Sequence, residues 1–357
     1  MLFGVMGTST ACAPRFPDPF WTGAHLAYAT TTDVEVCAGS WVVQDRYVEL
    51  LSELLGVEPP RPIHFAFIER SERDEFCEDG DLLGCTIGDE AYSIYAVQLH
   101  ELAHAVAMPA GIRGPLAFQE GFAEVFSDGQ DSEPDRLPIA DVVRDFAADG
   151  GSYYTAGLFV RFLIEEYGLE KLLAFMRGTT KHGGFEGFSK VFKDVYGVAL
   201  SDTFVDFEDY PSCTMWNNRI ALFECASPEV PWDGGNWRAT SPLACDSPDV
   251  LGPVPDGDNM LIWTTRTVEI QSDGEYQATV KGDVAGSAGA RITRCASCWD
   301  SVDAQVHVGQ SRTLTLTAGR YGGDQNPVRR TADLRREPRL ASDRDGRCLR
   351  SRGPPWG

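Results

Sequence analysis

One helical stretch, residues 92–108, constrains the fold of this chain more than any other part of the sequence. It carries His100, Glu101 and His104 in the order His-Glu-x-x-His, among leucine, alanine and valine residues that predict burial. Residues four apart on a helix share one face, so both imidazoles can reach the same point in space. Because buried histidine and glutamate side chains are costly without partners, the fold must bring a metal ion or further polar groups against this helix.

A metal ion accounts for all three side chains. Zinc accepts neutral imidazole readily, and a catalytic zinc site takes three protein ligands and leaves one position for water. Glu101, next to the first histidine, can lie beside that water and take its proton. The competing interpretation is a solvated helix face with two histidines, which the apolar residues around the motif disfavour. We therefore predict that His100 and His104 bind one Zn²⁺ ion and that Glu101 is the general base.

The third zinc ligand has to come from elsewhere in the chain. The long metzincin motif would need a glycine three residues after His104 and a histidine six residues after it. Ala107 and Ala110 occupy those positions, which excludes that class. The next helical segment, residues 115–127, opens with proline and carries Glu120. Glu120 is the candidate ligand, and the alternative is a carboxylate on a helix surface.

The segment Glu120-Gly121-Phe122-Ala123-Glu124 resembles the second signature of the gluzincins, the zinc peptidases related to thermolysin and to the zinc aminopeptidases. In that clan the glutamate of a Glu-Gly-x-Ala segment is the third zinc ligand. The resemblance therefore implies a gluzincin-like metallopeptidase domain in which Glu120 binds the zinc ion. It leaves Glu124 as a hydrogen-bond acceptor for a ligand histidine, a role for which Asp128 also competes.

A further resemblance to the clan lies in Tyr154-Thr155-Ala156-Gly157. Many gluzincins have a Tyr-x-x-Gly segment that opens a helix, and its hydroxyl donates a hydrogen bond to the developing oxyanion. The resemblance implies this role for Tyr154, with Tyr153 as the alternative. The interpretation without function is a tyrosine packed at a helix start. Thermolysin-like enzymes use a later histidine instead, and here only His182, in a glycine-rich loop, could serve.

Two further features bear on the substrate. Aminopeptidases of the clan anchor the substrate amine with a Gly-x-Met-Glu-Asn segment, and nothing before His100 matches it, so the sequence does not favour an exopeptidase. Residues 62–68 form an apolar strand, which we expect to be the sheet edge that pairs with an extended peptide. The alternative is an ordinary sheet strand. Residues 77–85 are expected to form a polar loop.

The chain divides into regions of different pattern. Residues 15–210 predict an α+β domain that ends in a helical subdomain, and residues 211–256 a connector rich in Cys, Trp and Pro. In residues 257–322, apolar and polar residues alternate in short runs, which predicts a small all-β module of sandwich type. Residues 323–357 are rich in arginine and predict disorder, either as a native basic tail or through an altered reading frame. Helices are expected at about 42–55, 92–108, 115–127, 153–167, 170–176, 185–196 and 201–207.

Charge and hydropathy exclude two function classes. With 31 Lys and Arg against 53 Asp and Glu, the net charge is −22. Such a charge repels phosphate groups, so general nucleic-acid binding is excluded. The apolar runs are broken by charges well before they reach the length of a membrane span.

The cysteines indicate where the protein works. Ten cysteines are many for a cytosolic chain, and their spacing predicts local disulfide loops formed in an oxidising compartment. The close pairs are Cys77 with Cys85, Cys213 with Cys225, and Cys295 with Cys298. Residues 1–14 are small and apolar, as in the end of a signal peptide or a poor lipobox around Cys12, although no basic residue precedes Arg15. We expect an extracellular or cell-surface protein.

These observations predict an α+β protein with a gluzincin-like domain followed by a sandwich-like module. Its expected function is that of an exported zinc metallopeptidase, with one Zn²⁺ ion and a peptide or protein substrate. Two alternatives stay open: a non-catalytic extracellular binding protein with a structural metal site, and a zinc hydrolase that acts on a non-peptide substrate. The oligomeric state is not indicated by the sequence.

Overall fold

The computed structural model describes most of the chain between residues 16 and 326. The described ranges are 16–59, 61–77, 83–127, 136–146, 152–180, 184–212, 219–233, 235–240, 243–256, 259–281, 289–295 and 304–326. Several predictions of the sequence analysis therefore lie outside the described residues. They concern the segment 1–14 with Cys12, the side chains of Asp128, His182, Cys213 and Cys298, and the tail from residue 327 onward.

A five-stranded sheet forms the first part of the fold. Its strands are β1 (Trp21–Thr22), β2 (Leu26–Thr30), β3 (Ile63–Phe67), β4 (Gly84–Ile87) and β5 (Glu90–Ser93). They lie in the order β1-β2-β3-β5-β4. The inner strands β2, β3 and β5 run parallel, and the edge strands β1 and β4 are antiparallel to their neighbours.

The position of β3 corrects one prediction. The strand predicted at 62–68 is not the sheet edge, because its backbone pairs with β2 on one side and with β5 on the other. The edge next to the helices is β4, which begins within the segment predicted as a loop. The helix predicted over 92–108 also starts later than expected, since Tyr92 pairs with Ala66 and Cys85 as part of β5.

The described residues form the seven predicted helices, the first of which starts earlier than predicted, and three short helices that were not predicted. They are α1 (Ala38–Leu55), α2 (Arg73–Phe76), α3 (Leu99–Ala107), α4 (Leu116–Phe126), α5 (Ile139–Arg144), α6 (Tyr153–Tyr167), α7 (Leu169–Gly178), α8 (Phe185–Tyr196), α9 (Leu200–Glu208) and α10 (Leu222–Cys225). The bounds of α6 and α8 are those predicted. Gly56 ends α1 with φ 61°, a left-handed backbone conformation that glycine adopts without strain. The α+β class is therefore confirmed.

Close packing of α4 against α6 positions the middle of the helical region. Gly121 makes this approach possible, because a Cβ at that residue would lie 2.5 Å from the carbonyl oxygen of Ala156. Phe118 on α4 packs edge-on against Phe159 on α6, with ring centroids 5.8 Å apart. Both side chains belong to a large buried cluster that also includes the apolar side of α3. The three helices therefore share one core.

The second part of the chain forms two sheets. Its strands are β6 (Leu251–Asp256), β7 (Asn259–Ile270), β8 (Gly274–Thr279), β9 (Gly289–Arg294), β10 (Ala304–His307), β11 (Ser311–Leu316) and β12 (Gly319–Asn326). One sheet has the order β10-β9-β12-β7-β6, and β8 pairs with β11. Val268, Ile270 and Tyr321 of the larger sheet share a buried cluster with Leu314 and Leu316 of the smaller one. Strand β12 extends to Asn326, past the predicted boundary at residue 322, because β7 and β9 pair with it on both sides.

The disulfides join distant segments more than the sequence spacing suggests. Cys77–Cys85 is present as predicted. The predicted pairs of Cys225 with Cys213 and of Cys295 with Cys298 are wrong, because α10 packs on the larger sheet and Cys225 bonds to Cys295. A third disulfide joins Cys37, at the start of α1, to Cys245.

The same region of α1 makes further contacts with the second part of the chain. The backbone N–H of Gly39 donates to the backbone carbonyl of Val250 at 2.9 Å, and the hydroxyl of Ser40 donates to the backbone carbonyl of Gly252 at 2.8 Å. The two parts of the chain are thus tied together at the start of α1. Among the helices that the structure describes, none combines the length and the apolar character needed to cross a bilayer.

Candidate metal centre

Helix α3 presents His100 and His104 on one face. The remaining side chains of the helix, Leu102, Ala103 and Val106 among them, are buried in the core. The two imidazole rings meet edge to face, with centroids 4.9 Å apart, and their Nε2 atoms lie 3.2 Å from each other. The apolar residues of α3 thus fix the helix, and its spacing brings two nitrogen donors to one point.

Helix α4 brings a carboxylate to the same point. Oε2 of Glu120 lies 3.1 Å from Nε2 of His100 and 3.2 Å from Nε2 of His104. With the 3.2 Å between the two nitrogens, these three atoms form a nearly equilateral triangle. The side chains of the three residues keep 14%, 11% and 15% of their surface exposed, so the site is mostly buried but open on one side.

The triangle fits a zinc ion. Zinc binds imidazole nitrogen and carboxylate oxygen at about 2.0–2.2 Å in tetrahedral geometry, which places neighbouring ligand atoms about 3.3–3.5 Å apart. The observed separations of 3.1 to 3.2 Å need only a small expansion to reach these values. Two histidines and one glutamate are also the donor set of a known class of catalytic zinc sites. Within the described residues, this is the one group of His, Cys, Asp and Glu that could hold a metal ion.

Glu124 lies one turn after Glu120 and faces the other nitrogen of His100. Its Oε2 is 3.7 Å from Nδ1 of His100, and its side chain is buried. Glu124 thus lies near the ligand candidate His100, at a separation longer than a hydrogen bond.

The acidic neighbours shift the pKa values of the ligands. Burial alone would lower the pKa of His100, but the hydrogen bond to Glu120 and the nearby carboxylates of Glu124 and Glu101 raise it well above its ordinary value. For Glu120, burial alone would raise the pKa. The charges of His104 and His100 and the hydrogen bonds from both rings instead hold the pKa of Glu120 well below its ordinary range. The neighbouring carboxylates thus favour the protonated form of His100, and the neighbouring imidazoles favour the ionised form of Glu120.

Glu101 lies beside the ligands on the same helix and is 7% exposed. Its partner is on the edge strand β4. The hydroxyl of Thr86 lies 2.8 Å from Oε2 of Glu101 and 2.9 Å from its backbone carbonyl oxygen. Thr86 could not be predicted from the sequence, because neither its type nor its spacing indicates which helix its strand faces.

The two tyrosines at the start of α6 have different neighbours. The Tyr153 ring packs edge-on against the His100 ring, with centroids 5.8 Å apart, and the residue is partly exposed. Tyr154 is 6% exposed and belongs to the buried core cluster. Of the two tyrosines named by the resemblance, Tyr153 is therefore the one whose ring contacts a candidate ligand.

No protein-family model, no curated protein and no solved structure matches this chain. The functional interpretation rests on the residues and the geometry of the site.

Proposed function

We propose that this chain is an exported zinc-dependent peptidase of gluzincin type, with one Zn²⁺ ion bound by His100, His104 and Glu120. The observation that carries the proposal is the triangle of ligand atoms with sides of 3.1 to 3.2 Å. A second support is Glu101, whose buried carboxylate lies next to a ligand on the same helix. A purely structural metal site has no use for a general base in that place.

The chemistry follows from the side chains around the triangle. Zinc held by these ligands would make water nucleophilic near neutral pH and polarise a substrate carbonyl. The carboxylate of Glu101 takes a proton from the attacking water and delivers it to the leaving amine. The phenol of Tyr153 donates a hydrogen bond to the carbonyl oxygen as that oxygen gains negative charge. Glu124 holds the ring of His100 throughout.

Strand β4 is the candidate binding edge for the substrate. It is the last strand of its sheet and pairs only with β5 among the described strands. An extended peptide can add to such an edge through main-chain hydrogen bonds. Ile87 at the end of β4 is 52% exposed, so an apolar side chain is available beside that edge. Because β4 also contacts Glu101 through Thr86, a peptide paired with it would lie next to the general base.

The disulfides support export. Cys37–Cys245, Cys77–Cys85 and Cys225–Cys295 are all of the kind that persists in oxidising compartments. Two of them join segments 208 and 70 residues apart, so they fasten the second part of the chain and not only local loops.

The test compares the full chain with Glu101→Gln and with Glu49→Gln, a matched change at a surface residue of α1. Zinc content is measured by elemental analysis, and hydrolysis is measured with casein and a mixed peptide library. We expect one zinc ion in all three proteins and hydrolysis by all except Glu101→Gln. If all bind zinc and none hydrolyses peptides, the site is structural or acts on another substrate. If none binds zinc, the metal site itself is wrong.

A further inference from the structure

One face of strand β4 surrounds the carboxylate of Glu101. Thr86 contacts Oε2 of Glu101 at 2.8 Å. Gly84, two residues earlier, has no side chain, and a Cβ there would lie 2.6 Å from the carbonyl oxygen of Tyr92 and 3.1 Å from Oε1 of Glu101. Residues two apart in a strand lie on the same face, so Gly84 and Thr86 form a single surface against α3. The glycine makes room for the carboxylate, and the threonine supplies a hydroxyl to it.

The opposite face of β4 is fastened separately. Cys85 points away from Glu101 and forms the disulfide with Cys77 at the end of α2. Next to this disulfide, the ring of Phe76 stacks on that of Tyr92, with centroids 4.9 Å apart. The strand is therefore held from behind by a covalent bond and an aromatic pair. This restricts the positions that the Thr86 hydroxyl can take relative to α3.

The hydroxyl of Thr86 can select one oxygen of the carboxylate. A threonine hydroxyl has a single proton to donate. Donated to Oε2, and not to the backbone carbonyl oxygen of Glu101 that lies 2.9 Å from the same hydroxyl, it fixes the orientation of the Glu101 carboxylate. Displacement of a catalytic group by about 1 Å can cost on the order of 100-fold in rate. We propose that Thr86 is a positioning residue that orients Glu101 for proton transfer, an inference that rests on the proposed peptidase function.

Three substitutions test the role of the hydroxyl. Thr86→Val removes it but keeps the β-branched shape that strands favour, whereas Thr86→Ser keeps it. Thr279→Val makes the same change at an exposed position of β8 and serves as the control. For peptide hydrolysis we expect Thr86→Val to lower kcat by about 10- to 100-fold, as for other residues that orient an active-site group. KM and zinc content should not change, Thr86→Ser should restore most of kcat, and Thr279→Val should match the wild type.

A second readout does not depend on activity. Urea unfolding of the zinc-free protein is compared for wild type, Thr86→Val, Glu101→Ala and the double variant, as a double-mutant cycle. If the two side chains interact, Thr86→Val lowers the unfolding midpoint more in the wild-type background than in the Glu101→Ala background. Equal shifts in both backgrounds would overturn the contact on which the inference depends.

The outcomes separate the two proposals. A wild type that cleaves peptides, with Thr86→Val just as active, overturns the role of Thr86 and leaves the peptidase function standing. A wild type that cleaves no peptide overturns both, even if the unfolding cycle shows the contact. Loss of kcat in Thr86→Val that Thr86→Ser does not restore would show that the strand, and not the hydroxyl, matters, and would also overturn the inference.

Discussion

Replacement of Gly121 by alanine tests how the packing of two helices supports the metal centre. Gly121 directly follows the ligand Glu120 on α4. A Cβ added there would lie 2.5 Å from the carbonyl oxygen of Ala156 and 2.8 Å from a methyl group of Val160. The first of these atoms belongs to the backbone of α6, which cannot rotate away. The two helices must therefore separate by several tenths of an ångström to admit the methyl group.

The cost follows from two opposing contributions. Overpacking a core costs typically about 1–3 kcal/mol, and the upper end applies here because the obstructing atom is backbone. Alanine is better than glycine inside a helix by about 1 kcal/mol. The net loss in the free energy of unfolding is then about 2 kcal/mol. With a urea m-value of about 3 kcal/mol/M, the unfolding midpoint falls by about 0.7 M.

Gly187 provides the matched control. It lies in α8, is exposed, and a Cβ there would meet nothing within 4 Å. Gly187→Ala should therefore raise stability by about 0.5–1 kcal/mol through helix propensity alone. Both variants are compared with the wild type by urea unfolding of the zinc-free protein, followed by circular dichroism. A Gly121→Ala variant that is as stable as the wild type, while Gly187→Ala gains stability, would refute the packing argument.

Two further predictions concern the site itself. Tyr153→Phe should lower kcat for peptide hydrolysis by about 100- to 1,000-fold, as expected for the loss of an oxyanion donor. Tyr154→Phe should leave kcat nearly unchanged, and the reverse result would assign the oxyanion role to Tyr154. In the zinc-free protein, the raised pKa of His100 adds stability to the folded state. This contribution is complete below pH 6.5 and is lost as the pH rises through the raised pKa. The lowered pKa of Glu120 adds stability that is complete above pH 4.5 and is lost as the pH falls through the lowered pKa. The joint contribution of the two groups to stability is therefore largest between pH 4.5 and 6.5. Because zinc must displace the proton on His100, calorimetric titrations should show weaker zinc binding at pH 6 than at pH 8. A zinc affinity that does not depend on pH would contradict this prediction.

The site residues that could be predicted from the sequence are those whose relative positions are determined by a single helix. His100 and His104 share a face because of helical spacing alone, and α3 places them together regardless of what surrounds it. The choice between Tyr153 and Tyr154 could not be made in the same way. Every residue of α6 from Tyr154 to Leu163 is buried, so its apolar pattern does not indicate which side faces the site. That choice depends on the direction in which α6 crosses α4.

Pairing between distant segments was harder to predict. Cys225 bonds to Cys295 because α10 packs on the larger sheet, which no local spacing reveals. The strand at 62–68 did carry a usable signal: its run Ile63–Phe67, apolar except for His64, is typical of an inner parallel strand. The edge strand β4 has only four residues, which is too short for a pattern that would assign its two faces.

The proposed centre draws its groups from two supports that can be disturbed independently. The proposed zinc ligands His100, His104 and Glu120 lie on helices of one buried core, so a change that separates those helices should reduce stability and zinc binding together. The orientation of Glu101 depends instead on the edge strand, through the hydroxyl of Thr86. Gly121→Ala and Thr86→Val should therefore separate two properties, zinc binding and kcat. The first should weaken zinc binding with a small effect on kcat of the zinc-loaded protein, and the second should lower kcat with zinc binding intact. If the two variants lost both properties in equal proportion, the helical core and the edge strand would form one cooperative support.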